Sequence, residues 1–457
     1  MKMRKQTKIV LIVLGAFALI ALTAAPAKAQ AAQSGQAAKP SYTMPEYNAF
    51  TACQQEKDPN QQVKCFDDFV SRFPSSTLMP YVYQLEVPDY QKLNNCQQEI
   101  AVADKLIALD SVAVGTKLQA TLSRLQAFAQ CYNASDPNAT ADLTKDRDLA
   151  VQGQKMLTQI PKPANVTDEA FQQSLKQVTS ILDNQAAWAD MQLKDYPSAV
   201  SAYKDAMTAN PNDAGASYEM GTAYLAMNPP QAINGFWAIA RAIDLKVQKA
   251  DQVQQYLRSR ILAYEQPGCD SQVDQQLNNM LQLAANSPEP PATFTIPSAA
   301  DLGQIRSNST ILTIISDLGS GGDKATQTWL AVCGSELSAV SGKVIDVQQG
   351  DGSVDFMVYT GATSADMEAA TTPNMDVKVY TTAPATPPAN PAGASAPPEQ
   401  ITPQPDVVRI EKGDPISFSG TIVSYDPSPF LLHWDDVKVD PSSIPAAKPE
   451  ARHGRGK

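Results

Sequence analysis

The chain has 457 residues, with 47 acidic against 36 basic side chains and a net charge of −11. That length has room for two or three domains. The acidic balance argues against nucleic-acid binding, which needs clustered Lys and Arg against phosphate.

The chain opens "MKMRKQTKIVLIVLGAFALIALTAAPAKAQ". Lys2, Arg4, Lys5 and Lys8 precede an apolar run from Ile9 to Ala25, and Ala27 and Ala29 stand where a signal peptidase reads small residues. Residues 1–29 therefore read as a secretory signal peptide cut after Ala29. An uncleaved anchor is the alternative, because the run is barely long enough to span a bilayer. Membrane contact is expected only in that case. Cutting removes five basic residues and leaves 31 against 47, a net of −16. No second apolar segment of about 20 residues follows, so a soluble periplasmic or secreted product is expected. Asn133, Asn138, Asn165 and Asn308 head Asn-x-Ser/Thr triplets, which matter only in a eukaryotic secretory host.

Six cysteines in an exported chain point to disulfides. An antiparallel helical hairpin places facing residues symmetrically about its turn. Cys53 and Cys65 are symmetric about Pro59, and Cys96 and Cys131 about residues 113–114. Cys269 and Cys333 remain by elimination, and free buried thiols are the alternative for each pair. With no CxxC and only two histidines, neither a metal site nor a cofactor is expected.

Residues 30–45, poor in bulky apolar groups, read as a disordered leader. From 46 to 286 apolar residues recur at helical spacing, as in Val102, Leu106, Ile107 and Leu109, with breaks at "DPN", "FPSS", "NPND" and "NPP". Residues 287–300 read as a linker. A β-rich domain follows over 301–440, after two helical segments near 309–318 and 323–332. "SGKVIDV", "SVDFMVYT" and "MDVKVYTT" alternate with period two, as does "SGTIVSYD" further on. Between them, 383–405 carries eight prolines and reads as an extended insertion. Residues 441–457 read as a disordered tail.

The most patterned stretch is "DYPSAVSAYKDAMTANPNDAGASYEMGTAYLAM", residues 195–227. Ala199, Tyr203 and Ala206 share one helix face, and Pro211 stops the helix. Gly221 offers a close contact and Tyr224 a filler. These residues resemble the tetratricopeptide repeat, a 34-residue helix–turn–helix unit. Its second helix carries Ala-x3-aromatic-x2-Ala-x4-Pro, matched by Ala199, Tyr203, Ala206 and Pro211. The next first helix carries small-x2-Tyr, matched by Gly221 and Tyr224. The resemblance covers roughly 180–246. It departs from the family where Ala186 and Ala187 replace the first-helix signature, where Trp188 lies off the family's Trp position, and where Ala232 comes one residue early. "FDDFVSRFPSS", with Phe66, Phe69 and Phe73, is similar to repeat helices of bacterial envelope proteins. A solenoid of such repeats implies a concave groove lined by first helices. In register, the groove residues are Asn184, Trp188 and Gln192, then Tyr218, Thr222 and Leu225. They suit a peptide or protein segment. A core Trp188 competes with this groove-facing one.

At the C-terminal end, Gly342 and Gly420 each precede a β-branched run, as glycines at a bulge or barrel corner do. About five strands in so small a segment resemble the oligonucleotide/oligosaccharide-binding (OB) barrel, with a sandwich as the alternative. Acidic neighbours of Phe356, Tyr359, Tyr380 and Trp434 oppose a nucleic-acid role. His433 has no GxSxG serine to serve, and His453 lies in the tail. "GSGGDKATQTW" lacks phosphate-loop spacing. The fold class expected is multidomain α + β: an N-terminal helical repeat solenoid and a small C-terminal barrel or sandwich. The function expected is a non-catalytic protein-interaction scaffold of the cell envelope. The rival is an extracytoplasmic glycan- or peptide-acting hydrolase using clustered carboxylates, which leave little sequence trace.

Overall fold

A computed structural model describes residues 42–384 and 401–447. The expected signal peptide, most of the leader and of the proline-rich insertion, and the end of the tail with His453 lie outside the described residues. The chain parts into two compact units between Ala250 and Asp251.

The first unit holds ten helices among the described residues. They are α1 (Met44–Gln55), α2 (Pro59–Arg72), α3 (Met79–Lys92), α4 (Cys96–Ala108), α5 (Val114–Cys131), α6 (Ala139–Leu157), α7 (Asp168–Leu193), α8 (Tyr196–Ala209), α9 (Ala214–Ala226) and α10 (Ala232–Asp244). Local chemistry sets many of the starts. Asp58, Asn95, Thr167, Asp195 and Asp213 each accept a backbone N–H of the helix they precede. The strongest packing runs between consecutive helices, with α3 against α5 in addition. That pattern is compatible with a repeat array. Helix α1 begins inside the expected leader, where Thr43 and Glu46 form a reciprocal capping box.

Disulfides pair as the hairpin symmetry requires. Cys53–Cys65 joins α1 to α2 with Cα atoms 5.3 Å apart, and Cys96–Cys131 joins the start of α4 to the end of α5 at 6.2 Å. The 195–227 stretch forms α8 and α9. Ala199, Tyr203 and Ala206 are buried, and they pack with Ala187 of α7 and with Ala216, Met220, Ala223 and Tyr224 of α9. Burying a side chain as large as Tyr203 contributes about 1.5–3 kcal/mol. Gly221 of α9 faces Gly235 of α10 so closely that a Cβ on either would meet the other's carbonyl oxygen at 3.0 Å or less. Exposed Pro211 follows the helix end.

The boundary falls just after the first residue of α11 (Ala250–Glu265); the second unit holds the rest of that helix, α12 (Ser271–Asn286), α13 (Ala299–Asn308), α14 (Ile311–Ser320) and α15 (Gly322–Val332). Helix α13 fills what composition marks as the end of a linker and the start of the β-rich domain. Its Ser298–Asp301 capping box starts it despite the preceding prolines. The third disulfide, Cys269–Cys333, fixes the α11–α12 turn to the end of α15, with Cα atoms 5.6 Å apart.

Five strands follow: β1 (Glu336–Gln349), β2 (Ser353–Tyr359), β3 (Met375–Tyr380), β4 (Pro415–Pro427) and β5 (Phe430–Val439). A short helix, α16 (Ser364–Ala369), lies between β2 and β3. The strands close into a barrel in the order β1-β2-β3-β5-β4, with β3 and β5 parallel and the other pairs antiparallel. Closure excludes a sandwich, and a five-stranded closed barrel is OB-like. Alternation puts Val354, Phe356, Val358, Val377, Phe418, Ile422 and Trp434 inside. Gly420 sits at a register shift against β5, as a bulge glycine should. Gly342 does not. It lies in a regular ladder, and a Cβ there would run into the Val358 side chain and the Tyr359 carbonyl of β2. Close backbone approach is its reason.

The end of the proline-rich insertion and the start of the expected disordered tail are tied to the barrel. Gln404 exchanges two hydrogen bonds with the Val439 backbone, at 2.9 and 2.8 Å. Ser443, in what reads as tail, accepts the Ser417 N–H at 2.9 Å.

Candidate functional site

Helix α7 presents Asn184, Trp188 and Gln192 at four-residue spacing, so they share one face. Helix α9 presents Tyr218, Thr222 and Leu225 at spacings of four and three, again on one face. None of the six is buried, whereas Ala187, Ala189, Ser217, Gly221 and Ala223 beside them are. Gln192 is exposed and the other five are half-buried.

One contact links the two rows. Asn184 Nδ2 donates to Asp213 Oδ2 at 2.8 Å, while Asp213 Oδ1 accepts the Ala216 N–H and so caps α9. In sequence Asp213 stands only in the break "NPND"; its bond to Asn184 depends on the stacking of the helices. Thr222 donates to the Glu219 carbonyl at 2.8 Å. Burial raises the Glu219 carboxyl above its ordinary range, against the Thr222 hydroxyl. Asp183, next to Asn184, is pushed up to about 6 by burial, opposed by the Gln154 amide. The surroundings of both rows therefore hold half-buried acids.

Trp188 belongs to core and face at once. Its ring meets Tyr132 at 5.4 Å and Phe128 at 6.1 Å in T-shaped contacts, and the residue is half-buried. Leu225 packs toward α10, where a Cβ on Gly235 would touch its methyl groups. These two residues position the face as much as they offer it to a partner.

A buried ionic hub holds α7 in register. Arg124 of α5, 2% exposed, reaches Asp104 Oδ1 at 3.2 Å and also pairs with Asp146 of α6. Gln185 of α7 donates to Asp146 Oδ2 at 3.2 Å and to the Leu125 carbonyl at 3.3 Å. Burial pushes the Asp146 carboxyl up, while Gln185 and Arg124 pull it down. The sequence signal for the hub is an Arg inside the apolar stripe Leu118–Leu122–Leu125, a position that demands a buried partner.

Carboxylates of the kind the rival reading needs lie on the outer barrel face. Asp355 of β2, Asp376 of β3 and Asp435 of β5 interact there, and Asp355 is raised by burial first and Asp376 second. His433 faces Asp376 through Nδ1 at 3.0 Å and Asp426 through Nε2 at 3.1 Å. Tyr380 is pushed up to about 12 by burial and by Asp435. Among the described residues no three His, Cys, Asp or Glu side chains are arranged to hold a metal ion, and no helix is long and apolar enough to cross a membrane.

No family model matches the chain and no curated protein matches it.

Proposed function

We propose that this protein is a non-catalytic interaction scaffold of the bacterial cell envelope. In this reading it is exported by a signal peptide cut after Ala29, and its first unit is a tetratricopeptide-like array. The face of α7 and α9 receives an extended segment of a protein or peptide. The observation that carries this reading is that all six first-helix positions escape burial while their small neighbours pack. Three disulfides support an oxidising compartment. The acidic surroundings disfavour nucleic acid and favour a partner segment with basic side chains. Capture of a partner by the mature chain tests the reading, with Gln192→Arg/Thr222→Arg as the blocked face.

The hydrolase alternative has one observation behind it, the raised Asp355 beside Asp376 on the barrel. Hydrolysis of a glycan or peptide that is lost in Asp355→Asn would favour it.

A further inference from the structure

Helix α11 buries one residue per turn: Val253, Leu257, Ile261 and Glu265. Three are apolar and the fourth is a carboxylate that is 0% exposed. Helix α12 buries Val273, Leu277, Met280 and Ala284. Glu265 thus occupies a position where the core stripe calls for an apolar side chain. Both of its carboxyl oxygens are buried without a hydrogen-bond partner, and so is Gln276 Oε1 of α12. Gln276 is the polar side chain that bears on Glu265, but no well-formed bond joins them.

Arg258, a cation of α11 that bridges to α12, is engaged away from Glu265. Arg258 of α11 holds Asp274 of α12 in a two-pronged bridge at 2.6 and 3.1 Å, with Asp270 at 3.7 Å. Asp301 of α13 acts on Tyr264, the neighbour of Glu265. What acts on the Glu265 carboxyl is burial, which raises it and dominates, and the Gln276 side chain, which pulls it down.

We propose that Glu265 is held as a neutral carboxylic acid and serves as a proton-controlled lock on the α11–α12 hairpin. An ionised carboxylate at this depth, with no well-formed hydrogen bond, is strongly disfavoured. As an acid it has one O–H, which donates to Gln276 Oε1 and satisfies two orphaned groups at once. Loss of the proton leaves a charge in the stripe, and the arms must part to admit water. The turn between them stays tied by Cys269–Cys333, so opening is confined to the arms.

Burial raises the carboxyl from the ordinary 4.5 to about 7. The closed hairpin therefore binds a proton that the open one releases. Its stability is fully present below pH 4.5, falls as pH rises toward 7, and is level above.

Hydrogen exchange of the full chain, corrected for intrinsic rates, tests this over residues 253–284 at pH 5 and pH 8. The wild-type opening constant should rise about 70-fold, the ratio that follows from those two values. In Glu265→Gln, which keeps the shape and can donate to Gln276, it should change by less than about twofold. Should that variant fail to fold, Glu265→Met completes the apolar stripe and should be equally flat. A flat wild type, or a variant as pH-dependent as the wild type, overturns the proposal.

Discussion

Gly221→Ala separates close helix packing from helix propensity, because the two predict opposite signs. Alanine in place of a mid-helix glycine favours the helix by about 0.8–1 kcal/mol. In this fold the new Cβ would lie 2.6 Å from Ile239 Cγ1, 2.8 Å from the Gly235 carbonyl oxygen and 3.0 Å from the Ile239 backbone nitrogen. Ile239 is fully buried and stiff at χ1, and the carbonyl and the amide are α10 backbone, so α9 and α10 must separate. Overpacking of this kind costs about 1–3 kcal/mol. Two backbone contacts put it near the upper end and leave a net loss of about 1–2 kcal/mol. Hydrogen exchange of the α9 and α10 amides in the full chain reads the difference locally. A gain in protection of the size propensity gives would refute the close crossing, and with it the repeat-like stacking.

The ionic hub and the buried acids give two further expectations. Arg124→Met leaves Asp146 buried and unpaired, which costs about 3–5 kcal/mol, and adding Asp146→Leu should recover most of it. A silent single variant in urea denaturation would show that the hub does not hold the four helices. Glu86 is pushed up to about 8 and Glu99 to about 7, burial coming first for each. Both bind a proton in the folded chain that the unfolded chain loses at ordinary carboxylate pH. Their penalties, about 5 kcal/mol for Glu86 and about 3 kcal/mol for Glu99, are absent below pH 4.5 and complete above pH 8. Urea midpoints of the first unit should therefore fall from pH 5 to pH 8; a flat or rising series would contradict the burial of these acids.

Features that depend on neighbours along the chain are legible in the sequence itself. Symmetry about a turn pairs Cys53 with Cys65 and Cys96 with Cys131. The spacing of Ala199, Tyr203 and Ala206 marks a packing face, and period-two alternation marks β2, β3 and most of β4. Features that depend on distant segments are not legible in this way. The parallel β3–β5 pair that closes the barrel joins Met375–Val377 to Leu432–Trp434 across the proline-rich insertion, and no local pattern encodes it. Asn184 reaching Asp213, and Arg124 gathering Asp104 and Asp146, need helices brought together by stacking. Trp188 leaves two readings open because it satisfies both. It meets Phe128 and Tyr132 in T-shaped contacts while the residue stays half-buried. Helix α13 is masked by the prolines before it, which hide the capping box that follows them.

The central claim is that the α7–α9 face is a docking surface. Its most direct test is capture from envelope extract with mature residues 30–457 as bait, beside Gln192→Arg/Thr222→Arg shown by hydrogen exchange to fold equally. Gln192 is exposed and Thr222 half-exposed, so two long cations there should obstruct the face without entering the core. A discrete partner that binds the first bait and is lost from the second is the result predicted. The same partner captured equally by both would contradict the claim and move the search to the outer face of the barrel.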